Sequence, residues 1–289
     1  MVHRPPRLRR SALYIPGSNP RALAKATGLP ADVFILDLED AVLPEAKVAA
    51  REAVARIVQS RPFGRREVVL RINGADTPWG ADDLRMAGAS GADAVLLPKV
   101  ESAGTVLEAA RTLEAQGAPP DQRLWAMAET PRGILDIATI AAATPRIDVI
   151  VMGTADLAGA LRVPDSPSRE GLLTALGQCV LAARASGVDI LDGVFASLED
   201  TAGFDAACRQ GRALGFDGKT VIHPAQIGPA NEVFGVSAAE ADSAMAVIAL
   251  WEAAAAGGAG VAVVNGRMVE RLHVDEARRR LALYRAGRE

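Results

Sequence analysis

The chain has 289 residues, 49% of them apolar and 23% charged, with a formal net charge of −3. Such a chain has apolar surface enough for one large domain with an appendage, which excludes a disordered polymer. Mild acidity without a Lys/Arg tract and an aromatic content of 4% argue against a nucleic-acid partner, and two cysteines, Cys179 and Cys208, build no disulfide framework.

The N-terminus carries Arg4, Arg7, Arg9 and Arg10, like the basic head of a signal peptide. The apolar run that follows, 12–15, is stopped by Pro16-Gly17 and is too short for an export signal, so a cytoplasmic protein is expected. Strand-like runs then recur at 12–15, 33–36, 68–72, 94–97, 124–128, 149–152, 188–191 and 220–222. Helix-like segments at 20–27, 45–60, 103–116, 134–142, 168–186 and 201–214 alternate with them. This alternation predicts parallel βαβ units, and eight of them make a (β/α)8 TIM barrel over residues 1–234. A doubly wound sheet is the competing fold, but Gly17 has no glycine partners at the dinucleotide-binding spacing.

Residues 235–289 form a different segment. The stretch 244–264 is apolar enough to suggest a membrane span, but Glu252 sits in it and Gly257-Gly258 and Gly260 interrupt it. A central carboxylate costs about 2.5–3.5 kcal/mol on insertion scales, so the stretch reads as a helix, a glycine break and a strand, with no membrane partner. Residues 261–264 and 267–270 flank Asn265-Gly266, the signature of a type I′ hairpin, and a charged helix over 274–286 follows with Leu281 and Tyr284 as its buried residues. This hairpin and helix read as a C-terminal lid, packed on the barrel or reaching a neighbouring subunit.

Polar residues gather just past the strand ends: Asp37, Glu39 and Asp40, then Arg71 and Asn73, Lys99 and Glu101, Glu129, Asp156, Asp192 and His223. In a barrel these ends converge on one face, where active sites are built. Each residue has a plainer reading. Asp37, Glu39, Asp40, Glu129 and Asp156 are all placed to cap a following helix, and Arg71 to pair with the acidic cluster at 37–40. Lys99 and His223 divide evenly between structural bonding and function, and the cysteines read as buried and inert. Taken together, carboxylates from neighbouring strands without nearby His or Cys favour a hard cation, Mg²⁺ with Mn²⁺ as the alternative. An arginine beside it matches a substrate carboxylate, which points to enolate chemistry on an oxo or hydroxy acid.

Seven motifs extend this reading in order along the chain: 11–17 (SALYIPG), 35–42 (ILDLEDAV), 70–73 (LRIN), 97–102 (LPKVES), 128–133 (AETPRG), 153–157 (GTADL) and 215–226 (GFDGKTVIHPAQ). With them the chain resembles the citrate lyase β-subunit-like family of the HpcH/HpaI aldolase/citrate lyase superfamily, which also holds malyl-CoA lyases, related acyl-CoA lyases and thioesterases. The resemblance implies a barrel with a C-terminal lid, in homotrimers or multiples of them. It implies Mg²⁺ on Glu129 and Asp156, a substrate carboxylate on Arg71, acidic active-site residues at Glu39 and Asp40, and the CoA end of the substrate near Arg21 and Lys25. The family's lid carries an Asp after Met and an aliphatic residue, ahead of a Pro-His pair. Here the stretch is Met268-Val-Glu-Arg-Leu-His273, with Glu270 at the Asp position. The expected activity is a magnesium-dependent carbon–carbon lyase splitting a short β-hydroxyacyl-CoA of the malyl-CoA or citramalyl-CoA type into an acyl-CoA and a 2-oxo acid. Glu39, Asp40 or a neighbouring chain's Glu270 would carry the proton. The alternatives are thioester hydrolysis at the same site, a citrate lyase subunit using a carrier-protein thioester, and a non-catalytic binding barrel.

Overall fold

The computed structural model describes residues 7–164, 166–256, 261–264 and 267–288. Eight parallel strands close in sequence order, β8 pairing with β1: β1 (Ser11–Pro16), β2 (Val33–Asp37), β3 (Glu67–Arg71), β4 (Ala94–Leu97), β5 (Arg123–Ala128), β6 (Ile147–Met152), β7 (Asp189–Asp192) and β8 (Gly218–Val221). The helices between them are α1 (Pro20–Ala26), α2 (Lys47–Gln59), α3 (Gly80–Ser90), α4 (Ala103–Ala115), α5 (Pro131–Leu135), α6 (Ile137–Ala141), α7 (Thr154–Leu161), α8 (Leu173–Ser186) and α9 (Thr201–Leu214), with α10 (Ile227–Phe234) after β8. This is the (β/α)8 barrel. Strands covered by helices outside and filled by side chains inside are apolar on both faces, and β2 and β3 are buried at every position.

Two departures from the sequence pattern have local causes. The single helix expected over 134–142 is two short ones meeting at Asp136, because Thr130 accepts a bond from the Gly133 N–H at 3.0 Å and Pro131 starts a separate first turn. Helix α3 was not expected because its buried positions are Gly80, Asp83, Ala87, Gly88 and Ser90, small or polar residues that leave no apolar periodicity.

Inside the barrel, Val33, Ile35, Val69, Leu96, Trp125 and Val151 belong to one packed cluster. Its floor is ionic. Arg9, 4% exposed, pairs with Glu67 at 2.7 Å, Asp148 at 2.5 Å and Asp189 at 2.6 Å, and lies over the Trp125 ring at 5.3 Å. Burial, with Asp217 adding like charge, pushes the Asp189 carboxyl up to about 6. Leu191 packs in the interior cluster, so its neighbour Asp192 points to the helix side, where Lys219 at 2.9 Å and Arg169 at 2.7 Å neutralise it.

Arg9–Val233 forms one compact unit, and the described residues from Phe234 onward form a second together with Arg7 and Leu8. In the second, α11 (Ala238–Ala256) precedes an antiparallel pair, β9 (Ala262–Val264) and β10 (Arg267–Val269), and then α12 (Arg271–Ala286). The expected hairpin strands are present, while the turn at 265–266 lies outside the described residues. The stretch Pro224–Ala256 is long and apolar enough to cross a membrane by length and composition. In this unit Val247, Ile248, Trp251 and Ala254 of α11 pack against Val269 and Val274, and Glu252 meets Arg278 at 3.3 Å. The buried residues of α12 are Val274 and Ala277; Leu281 and Tyr284, expected inside, are half-buried because the helix uses its first two turns to pack.

Candidate active site

The register of β2 against β3 places Asp37 directly opposite Arg71. Asp37 takes the Arg71 fork in two bonds, Nε to Oδ1 at 2.6 Å and Nη2 to Oδ2 at 2.5 Å. The same carboxylate accepts the Glu39 N–H at 2.9 Å and the Ala41 N–H at 3.2 Å, so it shapes the acidic loop as well as holding the guanidinium. Below the loop, Lys47 donates to the Leu38 and Glu39 carbonyls at 2.9 and 2.7 Å, and Asn73 Nδ2 to the Leu38 carbonyl at 2.9 Å. Arg71 is thus paired with the acidic cluster, with Nη1 at 2.9 Å from Glu39 and 3.2 Å from Asp40. Burial opposes its charge, and Asp37 overcomes that, leaving its pKa raised.

Lys99 follows β4 with a φ of +48°, in the left-handed region that non-glycine residues rarely enter. Its backbone N–H donates to Glu129 Oε1 at 2.6 Å and its ammonium to Glu39 Oε1 at 2.5 Å. Glu129, at the end of β5, is 2% exposed. Burial, with like charge from Glu39 and Asp156, pushes its carboxyl up to about 7 against the Lys99 N–H. Burial also raises Glu39, while Arg71 and Lys99 pull it back. Asp156 is exposed in the first turn of α7.

A cavity of about 330 Å³ opens among these groups, lined by Tyr14, Asp37, Asp40, Arg71, Glu129 and Asp156 among others. The structure therefore brings Arg71, Glu129 and Asp156 to one place, with Asp40 beside them and Glu39 buried against Arg71 and Lys99. Tyr14 carries the Arg71 guanidinium over its ring at 4.9 Å, and its buried hydroxyl has no hydrogen-bond partner among the described residues. A smaller cavity of about 130 Å³ shares Tyr14 and is bordered by Lys25; Arg21 is exposed one turn earlier on α1. Glu270 sits just before α12 in the other unit, its backbone N–H bonded to His273 Nδ1 at 3.0 Å. Asp192 is taken up by its ion pairs, and His223 is exposed, its Nδ1 accepting the Ala225 N–H at 3.2 Å.

The donors suit a hard divalent cation. Glu129 and Asp156 supply oxygen, a cation would relieve the like charge that raises Glu129, and Gly153 makes room, since a Cβ there would fall 2.5 Å from Glu129 Oε2. Among the described residues no group of three His, Cys, Asp or Glu side chains is placed to hold a metal ion, so Glu129 and Asp156 are a partial ligand set of the kind magnesium accepts.

The model of the HpcH/HpaI aldolase/citrate lyase family matches residues 10–224, the whole of the barrel's strands. The chain belongs to that family. It is 50% identical over 273 residues to a (3S)-malyl-CoA thioesterase of Cereibacter sphaeroides, covering 94% of this chain and 93% of the relative. It is 37% identical over 291 residues to citrate lyase subunit beta of Escherichia coli, covering 99% and 96%. Among solved structures, the protein CitE from Mycobacterium tuberculosis in complex with magnesium, acetoacetate and coenzyme A superposes with a TM-score of 0.75 at 30% identity, over 96% of this chain and 98% of that one. The family includes CoA-ester lyases, and in this member Arg71, Glu129 and Asp156 line one cavity.

Two features escaped the sequence reading. Pairing of Arg71 with the acidic cluster at 37–40 was expected, but that Asp37 is the member taking the arginine fork was not, because only strand register singles it out. The left-handed Lys99 has no sequence signature, because its φ is imposed from outside.

Proposed function

We propose that this chain hydrolyses the CoA thioester of a short hydroxy acid of the malyl type, in a magnesium-dependent reaction. The observation that carries the reading is 50% identity to a (3S)-malyl-CoA thioesterase over nearly the full length of both chains. The cavity suits such a substrate. Arg71 Nη1, which Asp37 does not take and which meets Glu39 at 2.9 Å and Asp40 at 3.2 Å, takes the substrate carboxylate in place of the exposed Asp40. Glu129 and Asp156 hold Mg²⁺, which when bound supplies a Lewis acid for hydroxyl and carboxylate oxygens. Glu39, buried and raised towards its protonated form, is the proton carrier, with Asp40 beside it. Water adds to the thioester carbon, the C–S bond breaks, and the proton taken from water passes to the departing thiolate. Arg21 and Lys25 on α1 meet the phosphates of CoA, and Glu270 of a neighbouring copy, in a trimer or a multiple of one, is a second proton carrier.

A second reading is carbon–carbon cleavage at the same site, favoured by the likeness to citrate lyase subunit beta and to a CitE complex with magnesium, acetoacetate and coenzyme A. There the substrate hydroxyl gives its proton to the acidic proton carrier, the carbon–carbon bond breaks to leave the 2-oxo acid, and the acyl-CoA enolate takes the proton back at carbon to become the acyl-CoA. Products separate the two. Purified protein with (3S)-malyl-CoA and Mg²⁺ is expected to release free CoA and malate, and EDTA to stop it. Release of acetyl-CoA and glyoxylate without free thiol would replace hydrolysis by the lyase reading, and no turnover in either assay would dismiss both.

A further inference from the structure

Lys99 is unusual among the described positive-φ residues that are not glycine. Arg61 and Arg162 close helices, where a left-handed residue is ordinary, and Arg169 sits in a loop where it opens a single helical turn. Lys99 instead follows a strand, and both of its flanks are fixed. Leu97 before it is paired in the barrel, and Val100 after it is 1% exposed, its carbonyl so near Gly133 that a Cβ there would lie 2.3 Å away. Between such flanks, φ at 99 and the orientation of the 98–99 peptide are coupled. A residue that resists +48° must turn that peptide, and its N–H then leaves Glu129 Oε1, now 2.6 Å away. A left-handed backbone held by surrounding structure directly behind Glu129, which lines the cavity, points to a residue held for function.

We infer that Lys99 is the positioning residue of the cation-binding carboxylate. Its left-handed backbone aims the 98–99 N–H at Glu129 Oε1 and turns Oε2 towards Gly153, while its ammonium ties the same unit to Glu39. This rests on the reading of Glu129 as a magnesium ligand. The backbone carries the effect on the cation, and the side chain does not.

Four substitutions test it, Lys99→Gly, Lys99→Asn, Lys99→Ala and Lys99→Val. All keep the N–H and remove the ammonium, but they differ in how well they accept a left-handed backbone: Gly and Asn readily, Ala less, and branched Val least. Mg²⁺ binding to the full-length chain is measured by titration calorimetry, with urea midpoints recorded alongside. Gly and Asn are expected to bind within ~3-fold of the wild type, Ala more weakly, and Val at least ~10-fold more weakly, the range seen when an outer partner of a metal ligand is lost. Equal affinity in all four, even with lowered urea midpoints, overturns the inference by leaving Lys99 a purely structural residue. An equal loss in all four overturns it by moving the effect to the ammonium. Should Val fail to fold, Gly against Ala makes the same comparison. A wild type that binds no Mg²⁺ overturns the metal reading itself, a failure visible without any variant.

Discussion

Replacing Arg71 by Met tests the ionic scaffold and the chemistry together. The variant takes from Asp37, 1% exposed, two charge-assisted bonds of 2.6 and 2.5 Å, leaving it only the Glu39 and Ala41 amides. Breaking a buried pair by removing one partner costs about 3–5 kcal/mol, much of it the orphaned charge. Arg71→Met should therefore lower unfolding stability by that amount in urea titrations. Adding Asp37→Asn removes the orphaned charge and keeps an acceptor for the loop amides, so the double variant should regain a large part of the loss. Activity should not return with it. The proposed contact from Nη1 to the substrate carboxylate should be worth about 2–4 kcal/mol in the transition state, or roughly 30–1000-fold in kcat/KM. The assay is release of free thiol from (3S)-malyl-CoA by protein verified as folded. A single variant within about 1 kcal/mol of the wild type would refute the scaffold argument; near-native turnover in either variant would refute the carboxylate contact.

Further outcomes follow from the same geometry. Glu129→Gln and Asp156→Asn should each weaken Mg²⁺ binding by more than ~10-fold in calorimetry, and two unchanged isotherms would remove both from the metal site. Tyr14→Phe deletes a buried hydroxyl that has no partner among the described residues, so its urea midpoint should equal or exceed that of the wild type, with a gain of up to about 1 kcal/mol; a clear loss would count against that reading. Asp189 has its folded pKa raised to about 6 from 3.8, so the folded state holds a proton that the unfolded chain gives up as pH rises. That contribution is present below pH 3.8 and is lost as pH climbs through about 6. Relative to Asp189→Asn, the wild type should lose stability between those limits, and parallel pH profiles for the two proteins would count against the shift.

The barrel was legible because its strands announce themselves as β-branched apolar runs with polar residues just beyond them. Convergence of the strand ends then placed Arg71, Glu129 and Asp156 together before any coordinates. What was hidden depends on pairing across strands or on small buried residues. Helix α3 packs through Gly80, Ala87 and Gly88, which carry little hydrophobic signal. The division of labour between Asp37 and its neighbours Glu39 and Asp40 is set by the register of β2 on β3, so three acidic residues within four positions look alike on paper and differ in space. Asp192 and His223 follow the same strand-end rule, yet the first turns outward to Lys219 and the second caps a single turn, because side-chain direction flips with every residue of a strand.

The ionic floor described for the barrel has a consequence for how its strands find alignment. In β3, Glu67, Val69 and Arg71 share one side, so the strand reads acid, aliphatic, base from bottom to top, with Arg9 waiting at one end and Asp37 at the other. A slide by one residue would turn these side chains outward, as in any strand. A slide by two, which ordinary alternation would tolerate, would push a charge into the level of Val69 and strand its partner. Fixed charge at each end of the axis thus acts as a pair of stops, allowing β3 one seat in the barrel out of the several that its greasy middle alone would permit.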